Sequence, residues 1–259
     1  MTSTSDQSKG TKGRGQFSEL LRFEWSLALR EPTGLGVGIG LPIVLLVVFG
    51  LIGIASPGNV AGTGYTVLDL YVPVIMVIAF VLLGIYVLPN AMVRYREIGW
   101  LRRVSVTPES PSRLLAAQLI INLGLALVAI LVVIFGSELI FGASLNVSIP
   151  YFVLSIVLSI AVIFSLGLLV AALAPSQQVA NAVGGGLMFL MLFLAGLWTP
   201  PAVVGGPLAT IIYYSPSGAA AHALLDSAFN SAPPYTAIVT MIAYTVIFSL
   251  IAVRYFRWE

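Results

Sequence analysis

The chain has 259 residues, of which 59% are hydrophobic and only 8% charged, and its mean hydropathy is +1.03. A soluble domain carries about 25% charged residues, so this composition excludes a water-soluble globular protein and indicates an integral membrane protein. The sequence contains no cysteine, which excludes disulfide bonds and thiolate chemistry. The meaning of the net charge of +2 depends on where the basic residues fall along the chain.

The N-terminal region is polar and then amphipathic. Residues 1–15 are rich in Ser, Thr, Lys and Gly, a composition that predicts a disordered tail. Residues 16–31 alternate apolar and charged side chains at helical spacing, which predicts an amphipathic helix along the membrane surface. Its apolar face contains Phe17, Leu20, Leu21, Trp25 and Ala28, and its polar face contains Glu19, Arg22, Ser26 and Arg30. More than thirty residues precede the first apolar run, which argues against a cleaved signal peptide.

Six apolar stretches follow, each about 20 residues long and therefore able to cross the hydrocarbon layer. They are continuous rather than alternating, which indicates helices and not the strands of a barrel. The predicted spans are about 35–54, 68–92, 114–136, 149–173, 179–198 and 235–253. The predicted fold is thus an all-α integral membrane domain over 35–253, followed by a short C-terminus at 254–259.

Glycine and proline mark special positions in these spans. We expect Pro42, Pro73 and Pro89 to distort the turn before each of them, either to line a pathway or to fit neighbouring helices. The stretch GLGVGIG at 34–40 contains two GxxxG spacings, which leaves open dimerisation and packing within the chain. The three glycines at 184–186 favour close helix approach or local flexibility.

Every lysine and arginine falls on one side of this six-span topology. They are Lys9, Lys12, Arg14, Arg22 and Arg30 before the first span, Arg94, Arg96, Arg102, Arg103 and Arg113 between the second and third, and Arg254 and Arg257 after the last. The positive-inside rule makes that face cytoplasmic, so both termini are expected in the cytoplasm and the protein in the cell inner (plasma) membrane. Topology also explains the basic excess without a nucleic-acid partner.

The spans lack the residues that would drive transport or catalysis. Asp69, Glu138 and Asp226 lie at span edges or in loops, not at mid-membrane where proton relays are found. His222 is the single histidine, so no metal site is predicted. Neither lysine belongs to a phosphate-binding loop, and no catalytic constellation occurs in the spans. The chain is therefore expected to have no catalytic residues, which disfavours an intramembrane enzyme.

Residues 94–113, RYREIGWLRRVSVTPESPSR, concentrate charge between two apolar spans. Two interpretations fit this composition. Arginines can anchor a loop at phosphate headgroups. Alternatively, Ile98, Trp100, Leu101 and Val104 give the segment the apolar spacing of a short helix that docks into a protein cleft.

The same residues carry a family resemblance. The segment resembles the cytoplasmic motif of type-2 ABC transporter permeases, the exporters of drugs, polysaccharides and lipids. The matching positions are Arg96, Glu97, Gly99, Leu101, Thr107 and Pro108, whereas Val104 stands where leucine is usual. Two later stretches are similar as well: APSQQVAN to LAGLWTPP, with Ala195 where serine is frequent, and YYSPSGAAAHAL at 213–224, which lacks the basic residue that often follows.

The resemblance implies a coupling helix that sits in a groove of a separate ATPase subunit, and this partner would bind ATP and magnesium. The implied coupling residues are Arg94, Arg96, Glu97, Ile98, Gly99, Trp100, Leu101, Arg102 and Arg103. It also implies a second permease copy or a homologous permease, and short half-helices in the outer leaflet within 199–234. The expected function is ATP-driven export, with a role in lipid transport or multidrug and antibiotic resistance.

The apolar spans favour a hydrophobic or amphiphilic cargo, such as a drug, lipid or glycolipid. The candidate path residues are Phe80, Tyr86, Met188, Phe189, Met191, Phe193 and Trp198. Residues of these types at helical spacing are also typical of ordinary core or lipid-facing surface. The alternative function is a non-transporting membrane scaffold, or a partner protein of the resistance or immunity type.

Overall fold

The computed structural model describes residues 21–22, 24–28, 30, 32–56, 58–60, 64–97, 111–143, 145–199, 204–229 and 231–255. These residues contain six helices long and apolar enough to cross a membrane, which confirms the predicted all-α membrane fold. They are α1 Gly36–Ala55, α2 Val67–Glu97, α3 Pro111–Phe141, α4 Ile149–Leu173, α5 Gln177–Ala195 and α8 Tyr235–Tyr255. Two shorter helices, α6 Gly206–Tyr213 and α7 Pro216–Ala228, connect α5 to α8.

Several predicted segments fall wholly or partly outside the described residues. The N-terminal tail at 1–15 lies outside them, as do residues 98–110 and 256–259. The predicted amphipathic helix at 16–31 is described at 21–22, 24–28 and 30, and all but the last of these positions are helical.

Helix α2 lies at the centre of the bundle and α8 at its edge. α2 packs against α1, α3, α4, α5 and α7, and nearly all of its apolar length is buried. α8 packs mainly on α4 and α7, so most of its surface faces outward. In lipid such an outward apolar face needs no protein cover, because the solvent is itself hydrocarbon.

Both α1 and α2 contain a π-helical stretch that ends two residues before a proline. In α1 it covers Gly36–Gly40 and precedes Pro42, and in α2 it covers Leu82–Val87 and precedes Pro89. Proline has no N–H to donate to the preceding turn, and its ring displaces the carbonyl there. The turn widens to i→i−5 bonding as a result: the Leu88 N–H donates to the carbonyl five residues earlier.

Three helices approach the π-helical stretch of α2 through glycine. A β-carbon on Gly38 of α1 would lie 2.3 Å from a leucine side chain of α2, so this glycine packs within the chain. A β-carbon on Gly167 of α4 would lie 1.7 Å from the carbonyl oxygen of Gly84. One on Gly184 of α5 would lie 3.0 Å from the Ile85 carbonyl oxygen, the group that Pro89 leaves without its α-helical donor.

The connections gather at two ends of the bundle. At one end the C-terminus of α2 meets the α4–α5 connection, which forms the site described below. At the other end the Ser148 N–H donates to the Ser227 carbonyl at 3.2 Å, and the Tyr65 and Phe229 rings stack with centroids 3.7 Å apart. The end of α7 thereby joins the α1–α2 and α3–α4 connections.

Candidate functional site

Arg96, in the last turn of α2, binds the C-terminal end of α4. Its guanidinium donates to the Ala174 carbonyl and, at 3.5 Å, to the Ala171 carbonyl. The last carbonyls of a helix lack intrahelical partners and carry the negative end of the helix dipole. A cation placed there both satisfies these acceptors and interacts favourably with the dipole.

Glu97, the next residue, binds the N-terminal end of α5. Its Oε1 accepts a hydrogen bond from the Gln177 backbone N–H at 2.8 Å, and Gln177 is the first residue of that helix. Ser176 adds a second cap, because its Oγ accepts from the Val179 N–H at 3.3 Å. The first N–H groups of a helix are unpaired and attract anions, so a carboxylate suits this position.

Two consecutive side chains of α2 thus hold opposite ends of two successive helices. We call Arg96 and Glu97, with these contacts, the Arg96–Glu97 clamp. It fixes the last turn of α2 to the connection between α4 and α5, across 75 to 80 residues of sequence. Residues 98–110 follow the clamp directly in sequence and lie outside the described residues.

A buried carboxylate at the same end joins the N-terminal segment to the bundle. Glu24 is only 2% exposed and accepts hydrogen bonds from the Tyr95 hydroxyl at 2.9 and 3.0 Å and from the Gln118 amide at 2.6 Å. Tyr95 belongs to α2 and Gln118 to α3. A buried carboxylate needs such donors, so Glu24 anchors residues 24–28 to the helix bundle.

A cavity of about 280 Å³, lined by both polar and apolar residues, lies between α2 and the start of α5, one turn from the clamp. We call it the Arg94 cavity; it is lined by Gly34, Tyr86, Val87, Asn90, Ala91, Arg94, Gln177 and Asn181. The Asn90 amide nitrogen donates to the Tyr86 carbonyl at 2.7 Å. Its carbonyl oxygen is buried and has no hydrogen-bond partner among the described residues.

Three of the nine predicted coupling residues fall in the described part of the chain. Arg96 and Glu97 form the clamp, and Arg94 lines the cavity with its guanidinium carbon 5.8 Å from the Tyr95 ring centroid. The other six lie outside the described residues: Ile98, Gly99, Trp100, Leu101, Arg102 and Arg103.

The predicted path residues divide into three groups. Phe80 and Met191 are buried in the core, and Met188 packs partly buried against it. Tyr86 lines the Arg94 cavity. Only three of the seven come together on an exposed surface, where the rings of Phe189 and Phe193 lie 5.3 and 6.0 Å from that of Trp198.

Burial shifts the pKa values of two residues of α7, His222 and Asp226, which lie outside the six spans. Burial lowers the pKa of His222, whose ring lies 5.1 Å from the Tyr213 ring. Burial raises the pKa of the Asp226 carboxyl. Both shifts favour the neutral form, because burial removes these groups from water.

Sequence reasoning missed five polar residues at this end of the bundle: Glu24, Asn90, Gln118, Gln177 and Asn181. A signal for Glu24 was present, because it lies on the same helical face as Phe17, Leu21 and Ala28. A carboxylate within an apolar stripe predicts a buried partner. The four amides carry no comparable signal, since their neighbours are distant in sequence.

Six membrane-crossing helices define a multi-pass membrane protein, and the comparison with protein families gives its class. Residues 15–229 match the family described as ABC-2 type transporter, and the chain therefore belongs to that family. Comparison with curated proteins finds no match. Family membership makes this chain a membrane transport subunit of an ABC system, a permease rather than an ATPase, as its sequence predicted.

Proposed function

We propose that the chain is the permease of an ATP-driven exporter whose ATPase is a separate cytoplasmic subunit. A dimer of that subunit would bind and hydrolyse ATP with magnesium. Two six-helix units, either identical or homologous, would form the path between them. The arginine-bearing end of the bundle faces the cytoplasm in this proposal, with both termini on that side of the plasma membrane.

The Arg96–Glu97 clamp is the observation that supports this function best. A docked ATPase can drive transport only if movement of the docking segment reaches the membrane helices. The clamp bonds the base of that segment to the ends of α4 and α5. Closure of the ATPase pair would therefore displace three helices together and shift the inward–outward equilibrium by differential contact energy.

This geometry divides eight of the nine predicted coupling residues by role, and the ninth, Arg94, lines the Arg94 cavity. Residues 98–103 would contact the ATPase through the apolar side chains Ile98, Trp100 and Leu101. Arg96 and Glu97 would act as positioning residues that transmit the displacement, because their side chains are already bonded within the chain.

The cargo is a hydrophobic or amphiphilic molecule in this proposal. The aromatic group of Phe189, Phe193 and Trp198 supports it, because these rings are exposed on one side of α5 and its C-terminal connection. Such a surface offers apolar contact area with few polar groups, which suits a drug, lipid or glycolipid.

The test begins with a search for an ABC ATPase gene next to the permease gene, followed by co-expression of the two and purification through a tag on the permease. We expect Trp100→Ala to lower ATPase recovery at least about fivefold, as loss of a buried aromatic anchor does at interfaces. Glu97→Gln should leave recovery unchanged but reduce cargo-stimulated ATP turnover. Glu138→Gln is the matched control, because it removes an exposed carboxylate at the opposite end of the bundle.

Three results would contradict the proposal. Full ATPase recovery with Trp100→Ala would show that 98–103 is not the docking segment. Failure of any ATPase to co-purify with the wild-type permease, or absence of a neighbouring ATPase gene, would favour the non-transporting scaffold.

A further inference from the structure

We propose that the Arg94 cavity binds the phosphate-bearing headgroup of an amphiphile taken from the cytoplasmic leaflet. This inference rests on the proposed function, since it names the class of cargo that the permease would accept. The cavity lining includes Arg94, one of the predicted coupling residues, and Gln177, which Glu97 binds; Tyr86, Asn90 and Asn181 belong to neither set.

The lining of the cavity matches a phosphate and its polar substituents. Arg94 is the one lining side chain with a full charge among the described residues, and an arginine has five N–H donors, so it can bind a phosphate oxygen in addition to another partner. The amides of Asn181 and Gln177 add neutral donors and acceptors.

The size of the cavity restricts what it can hold. Its volume of about 280 Å³ lies below the range of roughly 300–1,000 Å³ typical of pockets that enclose whole drug-sized ligands. A phosphodiester headgroup fits this space, whereas the acyl chains of a lipid do not. The tail of the amphiphile must therefore lie outside the cavity.

An apolar route for that tail begins at the cavity. Asn181, Gly185 and Phe189 follow one another at four-residue spacing on α5 and so share one face of the helix. A β-carbon on Gly185 would meet nothing within 4 Å, and Phe189 is 61% exposed, so nothing in the described chain covers this face. An acyl chain leaving the cavity can lie over Gly185 and reach the Phe189, Phe193 and Trp198 rings.

The cavity is also connected to the clamp. Gln177 lines the cavity and donates its backbone N–H to Glu97. Arg94 lies less than one helical turn before Arg96. Displacement of the clamp would thus move both walls of the cavity, which would couple headgroup release to the ATPase cycle.

The experiment measures headgroup binding to the full-length chain in uncharged detergent micelles. The probe is phosphatidylglycerol with a fluorescent label on one acyl chain, titrated by fluorescence anisotropy. Diacylglycerol with the same labelled chain is the uncharged reference. We expect the wild type to bind phosphatidylglycerol at least about tenfold more tightly, as hydrogen bonds to a charged group imply.

Two pairs of variants locate the binding site. Arg94→Gln should weaken phosphatidylglycerol binding about tenfold, whereas Arg254→Gln, which removes an exposed arginine from the same end of the bundle, should change it less than about twofold. Asn181→Asp introduces a carboxylate into the cavity and should weaken binding at least as much as Arg94→Gln. Gln178→Glu adds the same charge at an exposed neighbour outside the lining and serves as its control.

Equal affinity for phosphatidylglycerol and diacylglycerol would overturn the proposal, as would equal effects of Arg94→Gln and Arg254→Gln. Complete displacement of the probe by millimolar inorganic phosphate would identify a free-anion site and overturn it too. Asn181 is exposed, so Asn181→Asp keeps the test valid if Arg94→Gln fails to fold.

A second experiment asks whether the bound lipid is transported or only resides at the site. It uses proteoliposomes that contain the permease and its ATPase. ATP-dependent transfer of labelled phosphatidylglycerol would mark it as cargo, and binding without transfer would mark it as a resident membrane lipid; either result retains the site. The micelle titration needs no ATPase, so failure of headgroup binding is distinguishable from failure of the coupling proposal.

Discussion

Helices α2 and α8 are both apolar along their length, yet they occupy opposite environments. In the most apolar 18-residue stretch of each helix, 89% of the residues of α2 are buried inside the chain, but only 17% of those of α8. α2 is approached by glycines of α1, α4 and α5, and it contains two internal prolines and a π-helical stretch. α8 contains neither glycine nor proline. Hydrophobicity is enough for a helix to lie in the membrane. The central position of α2 depends in addition on its π-helical stretch and on the glycines of the helices that pack against it.

The largest expected effect comes from filling the closest helix contact. Gly167→Ala would put a β-carbon 1.7 Å from the Gly84 carbonyl oxygen, so α4 must move away from α2. We expect destabilisation of at least about 3 kcal/mol, at the upper end for overpacking because the obstacle is backbone. Gly185→Ala is the control: its β-carbon meets nothing within 4 Å, so it should be neutral or stabilising. The free energy of unfolding of both variants is measured in mixed micelles. Equal losses of stability would show that the close contact between α4 and α2 is not what Gly167 provides.

A cavity should cost more in α2 than in α8. Ile78 is 0% exposed and Ile247 is 49% exposed, so the same substitution probes the two environments. We expect Ile78→Ala to cost about 2 kcal/mol, the low end of the range for such truncations, since lipid removes much of the transfer term. Ile247→Ala should cost less than about 0.5 kcal/mol. A similar loss in both variants, measured as the free energy of unfolding, would show that α2 is not the structural centre.

Removing a tyrosine hydroxyl should also destabilise the protein more in α2 than in α8, by a smaller amount than the truncation of isoleucine. Tyr95→Phe in α2 deletes the hydroxyl that donates to buried Glu24 and should cost roughly 1.5 kcal/mol, the lower value for a hydrogen bond to a charged group. Tyr244→Phe in α8 should have little effect. Protease cleavage within residues 16–31 provides a second readout, because Tyr95→Phe alone is expected to accelerate it.

The smallest effect concerns α7, which packs against both α2 and α8. Burial lowers the pKa of His222 below 6.5, so the folded state binds fewer protons there and stability should rise with pH up to about 6.5. Burial raises the pKa of Asp226 above 3.8, so that group should reduce stability as pH rises through the raised pKa. His222→Asn should abolish the rise and Asp226→Asn the fall. Thermal midpoints between pH 4 and 7 test this, and unchanged profiles would refute it.

The sequence predicted the membrane fold and the family because both depend on local signals. Long apolar runs and a short motif at Arg96 and Glu97 suffice for these. It could not predict which span is central, because the spans are comparably apolar and the burial of α2 depends on contacts distant in sequence. The residues that form the clamp were selected, but their bonds to Ala171, Ala174 and Gln177 were not foreseen, because those partners are neutral backbone groups without a sequence pattern.

The composition of the Arg94 cavity was equally hidden. Asn90 and Asn181 are polar residues near the ends of predicted spans, and Gln177 lies in the connection before the fifth span. They become a group only when α5 packs beside α2, which in turn requires Gly184 to approach Ile85 closely. The packing of α5 against α2 therefore creates the Arg94 cavity, which the residue types alone do not predict.

The π-helical stretch at Leu82–Val87 sets the rotational phase of everything that follows it in α2. A π-bulge holds one residue more than a regular turn, and one residue corresponds to about 100° of helix rotation. Without that extra residue, Asn90 and Arg94 would point to a different side of the bundle, and Arg96 and Glu97 would miss the ends of α4 and α5. Pro89 thus determines the direction in which Arg94, Arg96 and Glu97 project from α2.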